Sequence, residues 1–214
     1  MLKVMNKIKG GRKNEKTIST IIMTLFMVFI SCNNGKSELK SDEVAKPDGT
    51  VIDLAKVSVK IKEAIATMIK VKKIETLVKS VSELAKAIDQ KVDNSTHQLA
   101  DGAGEKNHNG SLIAGAFQVI STVQVALIAL ETEVGIFDTL KKKVGEAKAK
   151  SNEFLNKLEE SKDQADAAKA IDIIKGDGSK GGNELKALNQ LVGELLKAAE
   201  DAVEAAMKEL TVTT

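Results

Sequence analysis

Apolar residues recur at steps of three, four or seven along four long stretches of this chain, and this spacing constrains the fold more than any other feature. It places the apolar residues on one face of an α-helix. No useful length of strand-type alternation appears after residue 32. We therefore predict an all-α fold, namely an antiparallel four-helix bundle with one extra short helix. The four stripes are Ile61, Ile65, Met68, Ile74, Val78, Val81, Leu84, Ile88 and Val92; Ile113, Ala116, Ile120, Val123, Leu127, Leu130 and Val134; Phe137, Leu140, Val144, Ala147, Ser151, Phe154 and Leu158; and Leu185, Leu188, Val192, Leu195, Ala199, Val203, Ala206 and Leu210.

The first long helix is expected to begin near Thr50, which with Asp53 makes a weak capping-box-like start. Its stripe continues to Val92. Residues 93–110 are polar and contain three glycines, so we expect a long loop there. Ser111 is a good N-cap for the second helix.

Gly135 separates the second stripe from the third, and the register of the apolar steps slips there. A tight antiparallel turn is the favoured interpretation, because glycine commonly ends helices, and a single bent helix is the alternative. A short helix is expected at residues 164–175, followed by a flexible glycine-rich turn at 176–182. The last long helix then completes the bundle.

Residues 1–31 have the organisation of a secretory signal peptide. Six basic residues and one acid precede the uncharged stretch Thr17–Ser31. The apolar core of that stretch is about half of the ~20 residues that cross a bilayer as a helix. An uncleaved membrane anchor is therefore the weaker alternative.

Cys32 is the only cysteine, and the small residue Ser31 precedes it. Bacterial lipoproteins are cut before such a cysteine, whose thiol then carries S-diacylglycerol and whose new amino group carries an acyl chain, as N-palmitoyl. Three acyl chains exceed the two signals that stable anchoring requires. We predict that Cys32 is this lipidation site. The alternative, a buried cysteine acting as a small hydrophobe, fits poorly between a signal peptide and a polar tract.

The chain therefore divides into a signal peptide (1–31), a flexible tether from the lipidated cysteine (32–50), a helical bundle domain (51–210) and a tail (211–214). The tether is polar and shows no apolar period, and a coil of its length spans about 23 Å. If the helices alternate in direction, the two irregular segments of the domain lie together at the end opposite the chain termini.

The charge balance argues against nucleic-acid binding. The chain has 32 basic and 30 acidic residues, a net charge of +2. Residues 1–31 hold six of the bases and one of the acids, so their removal leaves 26 against 29, a net charge of −3. A nucleic-acid partner requires a positive surface to neutralise phosphates, which the processed chain lacks.

The sequence offers no catalytic, cofactor or metal site. Glu105 and His108 have the Glu-x-x-His spacing of di-metal bundles, but this motif occurs once and in an expected loop. A di-metal bundle needs two such motifs on helices, and His97 is the only other histidine in the sequence. Gly181 is not followed by the Lys and Ser or Thr of a phosphate-binding loop. The run Lys141–Lys143 is interpreted as a solvated face, with an anionic glycan as a weak alternative.

Several motifs, taken together, resemble the variable small proteins of relapsing-fever Borrelia and their relative, outer surface protein C of Lyme spirochaetes. Ile22–Phe26 and Ile30–Asn34 look like that family's signal and lipidation region. Asn107–Leu112, continuing to Ala114–Ala116, looks like its second-helix entry, and Lys208–Thr211 resembles its end. The basic start is longer than the family's compact signal, so either Met1 or Met5 can be the initiator.

The resemblance implies a helical homodimer on the outer membrane that undergoes antigenic variation to evade host antibodies. It carries over no catalytic residue and only one modified residue, Cys32. Host proteins or glycans are further possible partners. The alternatives are an adhesin with a dedicated host ligand, a periplasm-facing structural lipoprotein, and a bundle that binds a metal or small ligand.

Overall fold

The computed structural model describes residues 43–45, 51–102, 109–134, 137–161 and 164–210. Four long helices and one short helix are found there, which confirms the predicted fold class. The long helices are α1 (Leu54–Leu84), α2 (Gly110–Glu133), α3 (Asp138–Glu160) and α5 (Gly182–Lys208), and the short helix is α4 (Ala167–Ile171).

The long helices surround one core, with α1 and α3 each packed between α2 and α5. Ion pairs fix their directions. Lys60, near the start of α1, pairs with Glu209 at the end of α5, and Lys70 of α1 pairs with Glu133 at the end of α2. Neighbouring helices are therefore antiparallel, and the start of α1 lies beside the end of α5.

The core consists of the predicted stripes. Phe154 is its largest fully buried side chain, and it packs with leucine, isoleucine and valine from all four long helices. The alanines of the stripes, such as Ala116 and Ala199, are also fully buried. Small residues at these positions allow the helices to approach closely, whereas the leucines supply most of the buried apolar area.

Both ends of α1 differ from the sequence prediction. The helix begins after Asp53, whose carboxylate accepts a hydrogen bond from the backbone N–H of Lys56 at 3.0 Å, so Asp53 is itself the N-cap. It ends at Leu84 and not near Val92. Asp89 has a φ of 59°, which is incompatible with continuing a right-handed helix.

A β-hairpin stands where we expected the end of α1 and a loop. β3 (Gln90–Asp93) pairs antiparallel with β4 (Gln98–Asp101), and Val92 lies opposite Leu99. The prediction of a helix to Val92 and an irregular segment from residue 93 was therefore wrong. The step from Ile88 to Val92 matched a helical period by coincidence.

A second small hairpin precedes α1. β1 (Glu43–Ala45) pairs antiparallel with β2 (Val51–Asp53), although β1 falls in the segment expected to be a flexible tether. Ile52 is the buried member of β2, and its partner Val44 is half-buried. This apolar pair explains why part of the polar segment is ordered.

α2 ends at Glu133 and α3 begins at Asp138 and packs against it, as predicted for two helices joined by a turn, whereas Gly135 itself lies outside the described residues. The single bent helix is excluded. The N-cap of α2 is Asn109 and not Ser111, so the cap lies two residues earlier than expected.

The expected short helix at 164–175 is only partly correct. A 3-10 turn at Gln164–Asp166 leads into the five-residue α4, which ends where Asp172 accepts hydrogen bonds from two following backbone N–H groups. The glycine-rich turn that follows is packed rather than loose. Gly181 has a φ of 135°, and a Cβ there would lie 2.9 Å from the ring of Phe154.

Candidate functional site

The bundle has two distinct ends, and we call the end that carries the start of α1 and the end of α5 the base. There Asp53 caps α1 and its carboxylate lies 3.3 Å from the Lys56 ammonium. The N–H of Lys56 holds the pKa of the Asp53 carboxyl below its ordinary value. An open groove along the first turns of α1 is lined by these two residues and by Ala55, Val59, Lys60 and Glu63.

The opposite end, which we call the tip, consists of the β3–β4 hairpin and residues 164–181. A reciprocal hydrogen-bond pair fastens the hairpin to the bundle. The Asn109 side chain accepts from the backbone N–H of Asp89 at 3.1 Å and donates to the Asp89 carboxylate at 2.8 Å. The backbone of Asp89 also accepts from the N–H of Gly102 at 3.0 Å, so this one residue ties together both strands and the start of α2.

The hairpin turn is closed by polar contacts. The carboxylate of Asp93 accepts hydrogen bonds from the backbone N–H and the hydroxyl of Ser95, at 2.8 and 2.6 Å, and these bonds hold its pKa below the ordinary value. His97 follows with a φ of 54°, and its side chain is exposed. The turn thus presents the His97 side chain to solvent. Within the described residues, this side chain is not part of any group of His, Cys, Asp or Glu that could hold a metal ion.

Large apolar side chains are exposed at the tip. Val92 and Leu99 retain 68% and 50% of their accessible surface, and Ile174, in the turn after α4, retains 88%. Isolated exposed apolar residues are ordinary. An exposed valine paired directly across a hairpin with an exposed leucine is a surface that a partner or an antibody could bind.

The predicted chemistry is not assembled in the described residues. Cys32, Glu105 and His108 lie outside them, and within them no three His, Cys, Asp or Glu side chains could hold a metal ion. Lys141–Lys143 lies in the first turns of α3. Lys143 pairs with Glu194 at 3.1 Å, so one member of the run serves the bundle itself.

Charges alternate around the bundle in a way that the sequence analysis missed. The net charges of α1, α2, α3 and α5 are +4, −2, +1 and −2. Within the described residues, four ion pairs join different long helices, and each links a lysine of α1 or α3 to a glutamate of α2, of α5 or of the residue that caps the end of α5. The net charge of each helix, summed from the sequence once its boundaries were assigned, would have indicated this alternation of charge around the bundle.

One glutamate is buried at a helix surface. Glu75 of α1 is only 8% exposed and accepts hydrogen bonds from Lys72 and Lys79 at 2.8 and 2.7 Å. Burial alone would raise the pKa of its carboxyl, but the two lysine hydrogen bonds outweigh burial and hold it below the ordinary value. The Glu75 carboxylate is therefore ionised and has hydrogen-bond partners, as expected of a structural residue.

α2 differs from the other long helices in composition. It carries no charged residue before Glu131, and it is the one helix in the described ranges long and apolar enough to cross a membrane by length and composition. Its core stripe is buried against α1, α3 and other elements of the bundle. A single helix of this kind is weak evidence for a membrane span, because the core helix of a globular domain can satisfy the same criterion.

Comparison with protein families agrees with the family resemblance. Residues 51–214 match a family model described as "Lipoprotein". The chain is 51% identical over 205 residues to Variable small protein 11 of Borrelia hermsii, covering 92% of this chain and 97% of the relative. It is 38% identical over 207 residues to Outer surface protein C of a Borreliella burgdorferi strain, covering 92% and 94%.

A solved structure shares the fold. Variable Small Protein 1 of Borrelia turicatae superposes with a TM-score of 0.67 at 42% identity, covering 74% of this chain and 99% of that one. The relatives also match this chain over nearly their whole length, so the likeness is not confined to one helix or one motif.

Proposed function

Because this chain belongs to the lipoprotein family that includes the variable small proteins and outer surface protein C, we propose that it is a lipid-anchored antigen of the spirochaetal outer surface. The proposal adds antigenic variation, in which one variant is expressed at a time and switching between variants evades host antibody. The family is non-enzymatic, in agreement with the prediction that this chain is not an enzyme. The observation that carries the proposal is 51% identity to a variable small protein along almost the whole chain.

Lipidation of Cys32 is the chemical basis of the proposal. The uncharged stretch, the small Ser31 and a single cysteine together support it. The test is mass spectrometry of the chain from spirochaetal membranes, with Cys32→Ala and the matched Ser37→Ala variant alongside. We expect a diacylglyceryl thioether and an N-acyl group on the parent and on Ser37→Ala. A free thiol with residues 1–31 still attached would reject the anchor.

The likeness to Outer surface protein C, whose name states its location, supports outward display. Protease added to intact cells should remove the chain while leaving a periplasmic marker intact. Complete protection would favour the alternative of a periplasm-facing structural lipoprotein.

Antigenic variation is tested by following expression under antibody pressure. Clones recovered from an infected host before antibody appears should express this chain alone among its variants, and clones recovered afterwards should express another variant. Persistent expression in clones that survive in immune hosts would contradict evasion. Antibodies themselves are the partners that this function requires.

An adhesin is the second candidate, and the exposed apolar residues of the tip favour it. Val92, Leu99 and Ile174 all lie at the tip and are exposed. The basic run Lys141–Lys143 is a weaker candidate for the glycan contact, because Lys143 is already paired with Glu194. Host protein and glycan binding should be measured before and after residues 85–110 and 161–181 are replaced by those of Variable small protein 11. Binding that follows the exchanged segments supports an adhesin.

A further inference from the structure

Asn109 and Gly110 form an Asn-Gly pair at the start of α2, next to the contact that fastens the β3–β4 hairpin. In such a pair the backbone nitrogen of the glycine can attack the side-chain amide of the asparagine, because glycine has no Cβ to block the approach. Gly110 is the first residue of α2, so its N–H is one of those that the helix itself leaves without a partner. The sequence contains one other Asn-Gly pair, Asn34 and Gly35 in the expected tether, which provides an internal reference.

The fold holds the Asn109 amide away from this reaction. Its Nδ2 donates to the Asp89 carboxylate at 2.8 Å, its Oδ1 accepts from the Asp89 N–H at 3.1 Å, and the residue is only 6% exposed. Its backbone carbonyl accepts from the N–H groups of Leu112 and Ile113 at 3.0 and 3.3 Å, and these bonds keep its ψ at the observed −12°. Ring closure requires the Gly110 nitrogen to eclipse the Asn109 Cβ about the Cα–C bond, which a helical ψ does not allow. Both the side chain and the first turn of α2 must therefore release before the amide can react.

The hairpin can open while the core stays closed. Its two strands contain no buried residue, and their apolar pair, Val92 and Leu99, is exposed. Opening therefore takes little apolar surface out of contact, and such segments open far more often than a whole domain unfolds. The first turn of a helix also frays more readily than its middle. The reactive arrangement of Asn109 is thus reached by local opening at the tip.

We propose that Asn109 is a deamidation site whose rate is controlled by Asp89, and that its reaction unfastens the hairpin irreversibly. When the contact opens, the Gly110 nitrogen loses its proton and forms a bond to Cγ of Asn109. The Cγ–Nδ2 bond breaks, and the amide nitrogen takes up a proton and leaves as ammonia, so that a five-membered succinimide remains. Water then opens the ring at either carbonyl and yields aspartate or isoaspartate. The reaction involves no oxidation or reduction, and water is its only co-reactant.

Neither product restores the contact with Asp89. The Asn109 side chain offers Asp89 both an acceptor and a donor, whereas an ionised carboxylate has acceptors only. Aspartate at position 109 places a second carboxylate where Asp89 now accepts a hydrogen bond at 2.8 Å, and like charges this close repel each other. Isoaspartate lengthens the backbone by one carbon at the N-cap and so displaces the start of α2 from Asp89. Either product adds a negative charge to the tip and leaves the hairpin unfastened.

Ageing of the purified full chain at neutral pH, followed by peptide mass spectrometry at both Asn-Gly pairs, tests the site. Asp89→Gly removes the carboxylate and suits the φ of 59°, so it releases the amide without straining the backbone. Asp89→Asn is the matched control, because it keeps a side-chain acceptor and tolerates a positive φ.

In the parent and in Asp89→Asn, deamidation at Asn109 should be slower than at Asn34. Asp89→Gly should speed it up about tenfold, which corresponds to about 1.4 kcal/mol of lost fastening. Gly110→Ala should suppress it, because a Cβ then obstructs the attacking nitrogen. Equal rates at Asn109 in the parent and in Asp89→Gly would overturn control by Asp89. Reaction at Asn34 with none at Asn109 in any variant would overturn the site.

Hydrogen exchange tests the consequence for the hairpin. Asn109→Asp should speed up exchange at residues 90–101 and leave the core of α2 slow, which shows that the bundle remains folded. The double variant Asp89→Asn with Asn109→Asp exchanges donor and acceptor across the contact, so it should restore slow exchange in the hairpin. This rescue separates repulsion between two carboxylates from a general loss of structure. Slow exchange in Asn109→Asp alone, or fast exchange in the double variant, would overturn the proposal.

Discussion

The bundle core and the tip are held together by different kinds of interaction. Core residues from all four long helices, such as Leu127, Val144 and Leu195, have no accessible surface. At the tip, the cross-strand pair of Val92 and Leu99 is exposed, and the hairpin is fastened by hydrogen bonds through Asp89 and Asn109. The free energy of folding therefore resides mainly in the core, and the exposed hairpin of the tip can change sequence at small cost.

The largest effect is expected from Phe154→Ala, at the point where the core meets the tip. Removing a fully buried phenylalanine should cost about 3–5 kcal/mol of unfolding free energy, through lost burial and the cavity left behind. Chemical denaturation followed by helical circular dichroism measures it. The exposed Val92→Ala is the control and should cost under about 0.5 kcal/mol. Similar losses in both variants would break the distinction between core and tip.

Gly181→Ala tests how closely the turn at the tip is fitted to the core. Its φ of 135° and the 2.9 Å approach of a Cβ to the Phe154 ring predict a loss of about 2 kcal/mol. Gly193 lies within α5 with nothing within 4 Å of a Cβ, so Gly193→Ala is the matched control. We expect it to stabilise the chain by up to about 1 kcal/mol. Equal changes in the unfolding free energy of the two variants would show that the turn at Gly181 is not closely packed against the Phe154 ring.

Asn109→Ala should release the hairpin and leave the bundle folded. The change leaves the backbone N–H of Asp89 without its side-chain acceptor, at a cost of about 1–2 kcal/mol that local opening can relieve. Hydrogen exchange should speed up at residues 90–101 and remain slow in the core of α2. Faster exchange throughout the bundle would show that tip and core unfold as one unit. Asn152→Ala, on the exposed face of α3, is the control.

The helices were predictable because each buries a continuous stripe, which leaves a period in the sequence. The hairpin was not, because β3 and β4 have no buried face and so show no apolar alternation. Its fastening depends on a contact between Asp89 and Asn109, twenty residues apart, which no local pattern reports. The two irregular segments predicted to lie together contain the tip, so the location of the tip followed from topology even though its structure did not.

A smaller effect is expected at Glu75, and it depends on pH. Its folded pKa lies below the ordinary 4.5, so as the pH falls the unfolded chain takes up the proton first. The stabilisation is complete above that value and is lost as the pH falls through the lower folded pKa. Glu75→Gln should therefore reduce the acid sensitivity of the unfolding free energy between about pH 6 and pH 3. An unchanged slope would show that the lysine hydrogen bonds do not act in solution.

The smallest effect concerns the charge alternation around the core. Lys148 of α3 pairs with Glu131 of α2, and both side chains are about one-third exposed. A double-mutant cycle with Lys148→Ala and Glu131→Ala should give a coupling of only about 0.2–1 kcal/mol, because water and salt screen a partly exposed pair. The exchanged pair, Lys148→Glu with Glu131→Lys, restores the contact but reverses the alternation, so it should recover less than the full coupling. Full recovery of the coupling energy would mean that this pair acts independently of the other charges. Burial of the apolar stripes would then determine the order of the helices without a contribution from charge.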